Sequence, residues 1–126
     1  MDLKKYFDEN KGTGIIATAD AQGMVNMAVY SKPQFMENDE IAFIMMDKLT
    51  HHNLQSNDKA AYLFKEEGSG YSGKRLYLTR LREEKDSELL YSIRSRKFHS
   101  EEKDDKIRFL VFFKIEKVLP LVGDDQ

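Results

Sequence analysis

Residues Ile41 to Met46 read Ile-Ala-Phe-Ile-Met-Met, six apolar side chains in a row between the turn-forming Glu37-Asn38-Asp39-Glu40 and the polar Asp47. The run is too short for a buried helix and far short of the roughly 18 residues of a membrane span. As a strand it is apolar on both faces, so both faces need cover. At 126 residues the chain is expected to be one domain, spanning 1–126, able to bury roughly two-thirds of its unfolded surface. It is too short for two lobes around a cleft. A large ligand is therefore expected on an open groove or between two copies.

The surrounding sequence supplies the cover. Gly14–Ala19 is a β-branched apolar run, Asp20-Ala21-Gln22-Gly23 a turn and Met24–Tyr30 a returning strand, so the pair reads as a hairpin. Ala60–Phe64 and Arg75–Arg82 read as the next two strands; Leu81 falls out of register with Leu76 and Leu78, which predicts a bulge. Ile107–Leu119 is a long final strand, with Phe109, Val111, Phe113 and Ile115 on one face and Leu110 and Phe112 on the other. Helices are expected near the N-terminus, capped by Asp2 and ended by Gly12, within Asp47–Asp58, and over Asp86–Phe98. His99–Lys106 reads as a charged loop. Short connections favour antiparallel pairing. The expected fold class is α+β, mainly β with short helices, on a six-stranded antiparallel barrel closed so as to remove its edges. Such a barrel buries one face of the final strand, leaving Leu110 and Phe112 as an exposed apolar stripe. A stripe of that kind marks an interface, and a homodimer is expected.

Composition argues against several classes. Lys plus Arg number 20 against 22 Asp plus Glu, without the basic excess of a nucleic-acid binder. There is no cysteine, which removes thiol catalysis, disulfides and iron–sulfur ligation. Met1–Lys11 is charged and has no apolar signal core, so the cytoplasm, with no membrane association, is the expected location.

Few residues offer chemistry. His51 and His52 are adjacent, so on a helix they point about 100° apart and lack the i, i+4 spacing of a helical zinc pair; no metal site is expected. Lys48-Leu49-Thr50-His51 precedes or opens a helix, where free N–H groups and a partial positive charge await an anion. Lys48 adds a charge, Thr50 a hydroxyl and His51 a ring N–H. The same residues also read as an N-cap and a solvated surface. The glycine loop Gly68–Lys74 departs from the G-x-x-x-x-G-K-[ST] pattern and precedes a strand, so it reads as a hairpin connection. Met24, Met27, Met36, Met45 and Met46 gather on or near two strands, either as core or as the lining of a groove for a flat ring. No acid–base pair or nucleophilic triad stands out.

These strings resemble the pyridoxamine 5′-phosphate oxidase-like family of FMN-binding split barrels, in particular its short members. GIIATADAQGMVNMAVY is similar to that family's opening hairpin, and IAFIMMDKLTHHNLQSNDKAAYLF to its third strand, phosphate helix and fourth strand. HNLQSNDKAAYLF follows the family's N-L-x-x-N-P-x-V-x-L pattern with Asp58 in place of Pro. The resemblance runs from about Gly12 to about Leu81. It implies a six-stranded split barrel and FMN in a groove between two subunits. It further implies that Met27, Ala28, Val29 and Tyr30 face the ring and ribityl chain, that Met45 and Met46 flank the groove, and that Lys48, Leu49, Thr50 and His51 hold the phosphate. The oxidases carry Arg-Lys where this chain has Leu49-Thr50, and a C-terminal Arg-x-His signature that this chain lacks. The resemblance thus implies the fold and cofactor, not pyridoxamine oxidation.

The function expected is that of an FMN-binding flavoprotein, a small oxidoreductase or electron carrier, with a nicotinamide cofactor or a redox protein as partner. Two alternatives stay open. One is a non-catalytic module for flavin or another flat ligand such as haem. The other is an oligonucleotide-binding barrel stacking bases on Tyr62, Tyr77 or Phe side chains.

Overall fold

The computed structural model describes residues 2–98 and 105–124. Elements follow the order α1 (Leu3–Glu9), β1 (Gly12–Ala19), β2 (Val25–Tyr30), β3 (Gln34–Phe35), β4 (Glu40–Met46), α2 (Leu49–Ser56), β5 (Lys59–Glu66), β6 (Gly73–Lys85), α3 (Glu88–Phe98) and β7 (Arg108–Pro120). The expected loop His99–Lys106 lies largely outside the described residues. None of the described helices is long and apolar enough to cross a membrane.

Local chemistry accounts for the ends of these elements. Asp2 caps α1 by accepting a hydrogen bond from the Lys5 amide. The helix ends at Asn10 rather than at Gly12, and Lys32 Nζ takes up the free carbonyls of Phe7 and Asn10. In the β1–β2 turn, Asp20 Oδ1 accepts from the amides of Gln22 and Met24 while Gly23 supplies a φ of 84°. Between β3 and β4, Asn38 and Asp39 both have φ 60°, the backbone of a two-residue primed turn. Ser87 Oγ accepts from the Leu90 amide at the start of α3.

All strand pairs are antiparallel, in one seven-stranded sheet of order β2-β1-β5-β6-β7-β4-β3. The expectation of six strands in a closed barrel is therefore corrected twice. The extra strand, β3, is two residues long, beyond Pro33, and too short to show an alternating pattern. The sheet also stays open: β2 and β3 are its ends, and β2 makes no ladder with β4. It curls nonetheless, since Tyr30 on β2 meets Phe43 on β4 edge to face, centroids 6.1 Å apart. A cavity of about 50 Å³ lies along this seam, between Tyr30, Ser31 and Lys32 on one side and Gln34, Ala42, Phe43 and Ile44 on the other.

The curled sheet encloses a core drawn from β1, β4, β5, β6 and β7, including Ile16, Phe43, Met45, Tyr62, Phe64, Leu76 and Phe113, and closed by Phe7 of α1 and Leu54 of α2. Gly14 is required here: a Cβ would lie 1.9 Å from the hydroxyl of Tyr62, a fully buried ring. A second core lies on the opposite face of the sheet. Leu90 and Ile93 of α3 cover Ala42, Leu110 and Phe112. The stripe expected to be exposed on the last strand is thus buried, Leu110 completely. Leu90 and Ile93 of α3, rather than a second subunit, supply its cover.

The exposed apolar face lies instead on the edge strand β2. Val25, Met27 and Val29 are 75%, 72% and 75% exposed, and Met24 precedes them at 71%.

Candidate flavin and phosphate site

Strand parity divides the residues expected to face a ring. Met27 and Val29 point outward from β2, whereas Ala28 and Tyr30 point inward and pack on the core. Four consecutive residues of a strand cannot present all their side chains to one face, so only the backbone of Ala28 and Tyr30 is available on the outer side. The methionines divide likewise. Met45 is fully buried in the core, so its side chain does not line a groove, while Met46 is half-buried, Met36 packs on the second core, and Met24 and Met27 are exposed.

Helix α2 packs against β1, β2 and β4, bringing its N-terminus to the inner side of β2. Lys48 is the N-cap, its side chain makes no capping hydrogen bond, and it is exposed. Leu49 is also exposed. The first turn therefore keeps amides free of side-chain capping, with a lysine at the cap position, an arrangement suited to an anion. Thr50 does not cap the helix. It is buried, and its hydroxyl accepts from Asn26 Nδ2 at 3.3 Å. Burial pushes the Tyr30 phenol upward, and a hydrogen bond with Thr50 offsets part of that shift. Asn26, Thr50 and Tyr30 thus join β2 to the start of α2. Asn53 donates to Thr18 Oγ1 on β1 at 3.1 Å, entirely within the interior.

His51 faces away from this seat. Its ring is buried and stacked on Phe109, centroids 3.8 Å apart and planes within 10°. Nε2 lies 2.8 Å from Glu83 Oε2, and Nδ1 lies 3.6 Å from Asp47 Oδ1. Because Glu83 accepts at Nε2, that nitrogen carries the proton. His51 is therefore neither the solvated nor the capping residue that the sequence also allowed, and its Nε2–H is committed to protein. His52 is exposed.

Glu83 is the residue that sequence reasoning passed over. Its carboxylate accepts from His51, from Gln55 Nε2 at 3.1 Å, and from Arg80 through Nε and a terminal nitrogen at 3.2 and 2.8 Å. Burial raises its pKa, but the hydrogen bonds from His51, Arg80 and Gln55 outweigh burial and hold it below the ordinary glutamate value. The irregularity foreseen at Leu81 is present: Arg80 pairs with Phe113 and Arg82 with Phe112, leaving Leu81 unmatched. That extra residue places Arg80 and Glu83, rather than Arg80 and Arg82, on one face.

This architecture, an open curled antiparallel sheet with a short helix at its seam, is the split barrel of the pyridoxamine 5′-phosphate oxidase-like proteins. The chain is similar to an FMN-binding protein of Syntrophomonas wolfei, with TM-score 0.73 and 22% identity over 93% of this chain and 82% of that one. It is similar to HupZ of Group A Streptococcus, with TM-score 0.70 and 14% identity over 99% and 96%, and to an FAD-binding protein of Mesorhizobium loti, with TM-score 0.59 and 16% identity over 92% and 86%. No protein-family model and no curated protein matches the sequence.

Proposed function

We propose that this chain is an FMN-binding flavoprotein that works as a homodimer. The observation that carries the reading is the pairing of two unlike surfaces along β2. Its outer face is apolar and exposed through Val25, Met27 and Val29, and on the inner side of the same edge strand the start of α2 combines amides free of side-chain capping with Lys48. FMN has the same two parts, a flat apolar ring system and a phosphate. The Syntrophomonas and Mesorhizobium proteins are flavin binders of the same fold, which supports a flavin over other flat ligands. One subunit offers the ring a single wall, so a second copy packing on the β2 face completes the enclosure and covers the exposed side chains.

The flavin supplies redox chemistry when bound; the protein binds it, orients it and limits water. The Lys48–Thr50 turn holds the phosphate and the β2 face supports the ring. Electrons come from a nicotinamide cofactor or a partner flavoprotein, because hydride transfer to a flavin needs chiefly alignment of donor and ring. The test is a fluorescence titration of the purified protein with FMN and with riboflavin, followed by anaerobic bleaching of the bound flavin with each donor in turn. Tight FMN binding with preference over riboflavin is expected, and pyridoxamine 5′-phosphate is expected not to bleach it. A protein that ignores both flavins at micromolar concentration refutes the proposal.

A further inference from the structure

We infer that Glu83 is a positioning residue for the anion seat: through His51 it fixes the first turn of α2, and so sets the preference for a phosphorylated flavin over its unphosphorylated form. The inference rests on the flavin reading above.

The argument begins with α2 itself. It has eight residues, too few to be stable alone, and Leu54 is its one buried apolar side chain. Its other buried residues are Thr50, His51 and Asn53, so its orientation depends on polar fastenings to the sheet. Asn53 to Thr18 secures the C-terminal half against β1. Thr50 to Asn26 secures the near side against β2. His51 to Glu83 reaches the far wall on β6, with the ring pressed on Phe109 of β7. The directions of the Leu49 and Thr50 amides are therefore set between β2 and the Glu83 clasp.

Glu83 is suited to this role and not to touching the ligand. Arg80, Gln55 and His51 all donate to its carboxylate, which holds it in one place. A carboxylate facing a phosphate directly would repel it. Gln55 closes the clasp by also donating to the His51 carbonyl, 3.1 Å away, so helix backbone, ring and carboxylate move as one unit.

The experiment compares Glu83→Ala, Glu83→Gln and His51→Phe with wild type. Glutamine retains an acceptor for His51, and phenylalanine keeps the stack on Phe109 while losing the hydrogen bond. FMN and riboflavin affinities are measured well below each melting temperature, and the Leu49 and Thr50 amides are followed by NMR as inorganic phosphate is added. Glu83→Ala is expected to weaken FMN about tenfold, the scale of one charge-assisted hydrogen bond, and riboflavin by less than about twofold. Glu83→Gln is expected to stay within about threefold of wild type for both. His51→Phe should repeat the selective loss, and it carries the test if Glu83→Ala fails to fold. The phosphate-induced amide shifts should shrink in Glu83→Ala and survive in Glu83→Gln. Equal losses for FMN and riboflavin, or no loss in either disrupting variant, overturn the inference and leave flavin binding standing. Tighter FMN binding by Glu83→Gln also overturns it, since that is the signature of simple charge repulsion. A wild-type protein that binds neither FMN nor phosphate at Leu49 and Thr50 overturns both.

Discussion

Leu110 separates the two accounts of the last strand. It is fully buried beneath α3, in contact with a cluster of Ala42, Leu90, Ile93 and Phe112. Truncation to Ala removes three carbon atoms from that cluster and leaves a cavity, at a cost of about 2.7–5 kcal/mol in a rigid core. Helix α3 has a single layer of contacts here and can settle toward the sheet, which favours the lower part, about 2–4 kcal/mol. For a domain of this size that lowers the melting temperature by roughly 8–16 °C. Urea unfolding followed by circular dichroism measures the loss, with Leu81→Ala as a control because Leu81 is 43% exposed. The mass by light scattering should not change, since the side chain faces α3 and not another subunit. A loss below about 1 kcal/mol, or conversion of a dimer to a monomer, would refute the burial argument.

Three other outcomes are expected. Lys48→Ala should cost about 1.5–3 kcal/mol of FMN affinity by isothermal titration, the scale of one charge-assisted hydrogen bond, while riboflavin barely changes; equal losses would place the damage in the fold or the ring site. Met27→Glu puts a charge at the centre of the exposed β2 face and should yield a monomer by light scattering, with little change in subunit stability because the side chain is 72% exposed. Glu83 has a folded pKa below its unfolded one, so its contribution to stability is complete above about pH 4.3 and is lost as pH falls through the folded value; Glu83→Gln should flatten that part of a stability–pH curve, and an unchanged acid limb would count against the clasp.

Much of this molecule is written locally in its sequence. The hairpin of β1 and β2 follows from a β-branched run, an Asp-Ala-Gln-Gly turn and its return, and Asp2 marks the start of α1, because such signals act between near neighbours. The double-faced apolar pattern of Ile41–Met46 and of Phe109–Phe113 announces burial on both faces. It does not say what covers the second face, and the choice between α3 and another subunit was made only when Leu90 and Ile93 met Leu110 and Phe112 across the fold. The slip at Leu81 is legible as a break in alternation, but which carboxylate it turns toward His51 depends on the register of β6 against β7, a pairing of residues about thirty positions apart. The proposed phosphate seat is half legible: Lys48 and Thr50 stand where a helix begins, whereas the turning of His51 away from it required Phe109 and Glu83 to arrive from distant strands. Sequence periodicity fixes which side chains share a face of one element. Which faces meet is settled by tertiary packing, because burial energy depends on the sum of contacts from several elements and no single segment contains that sum.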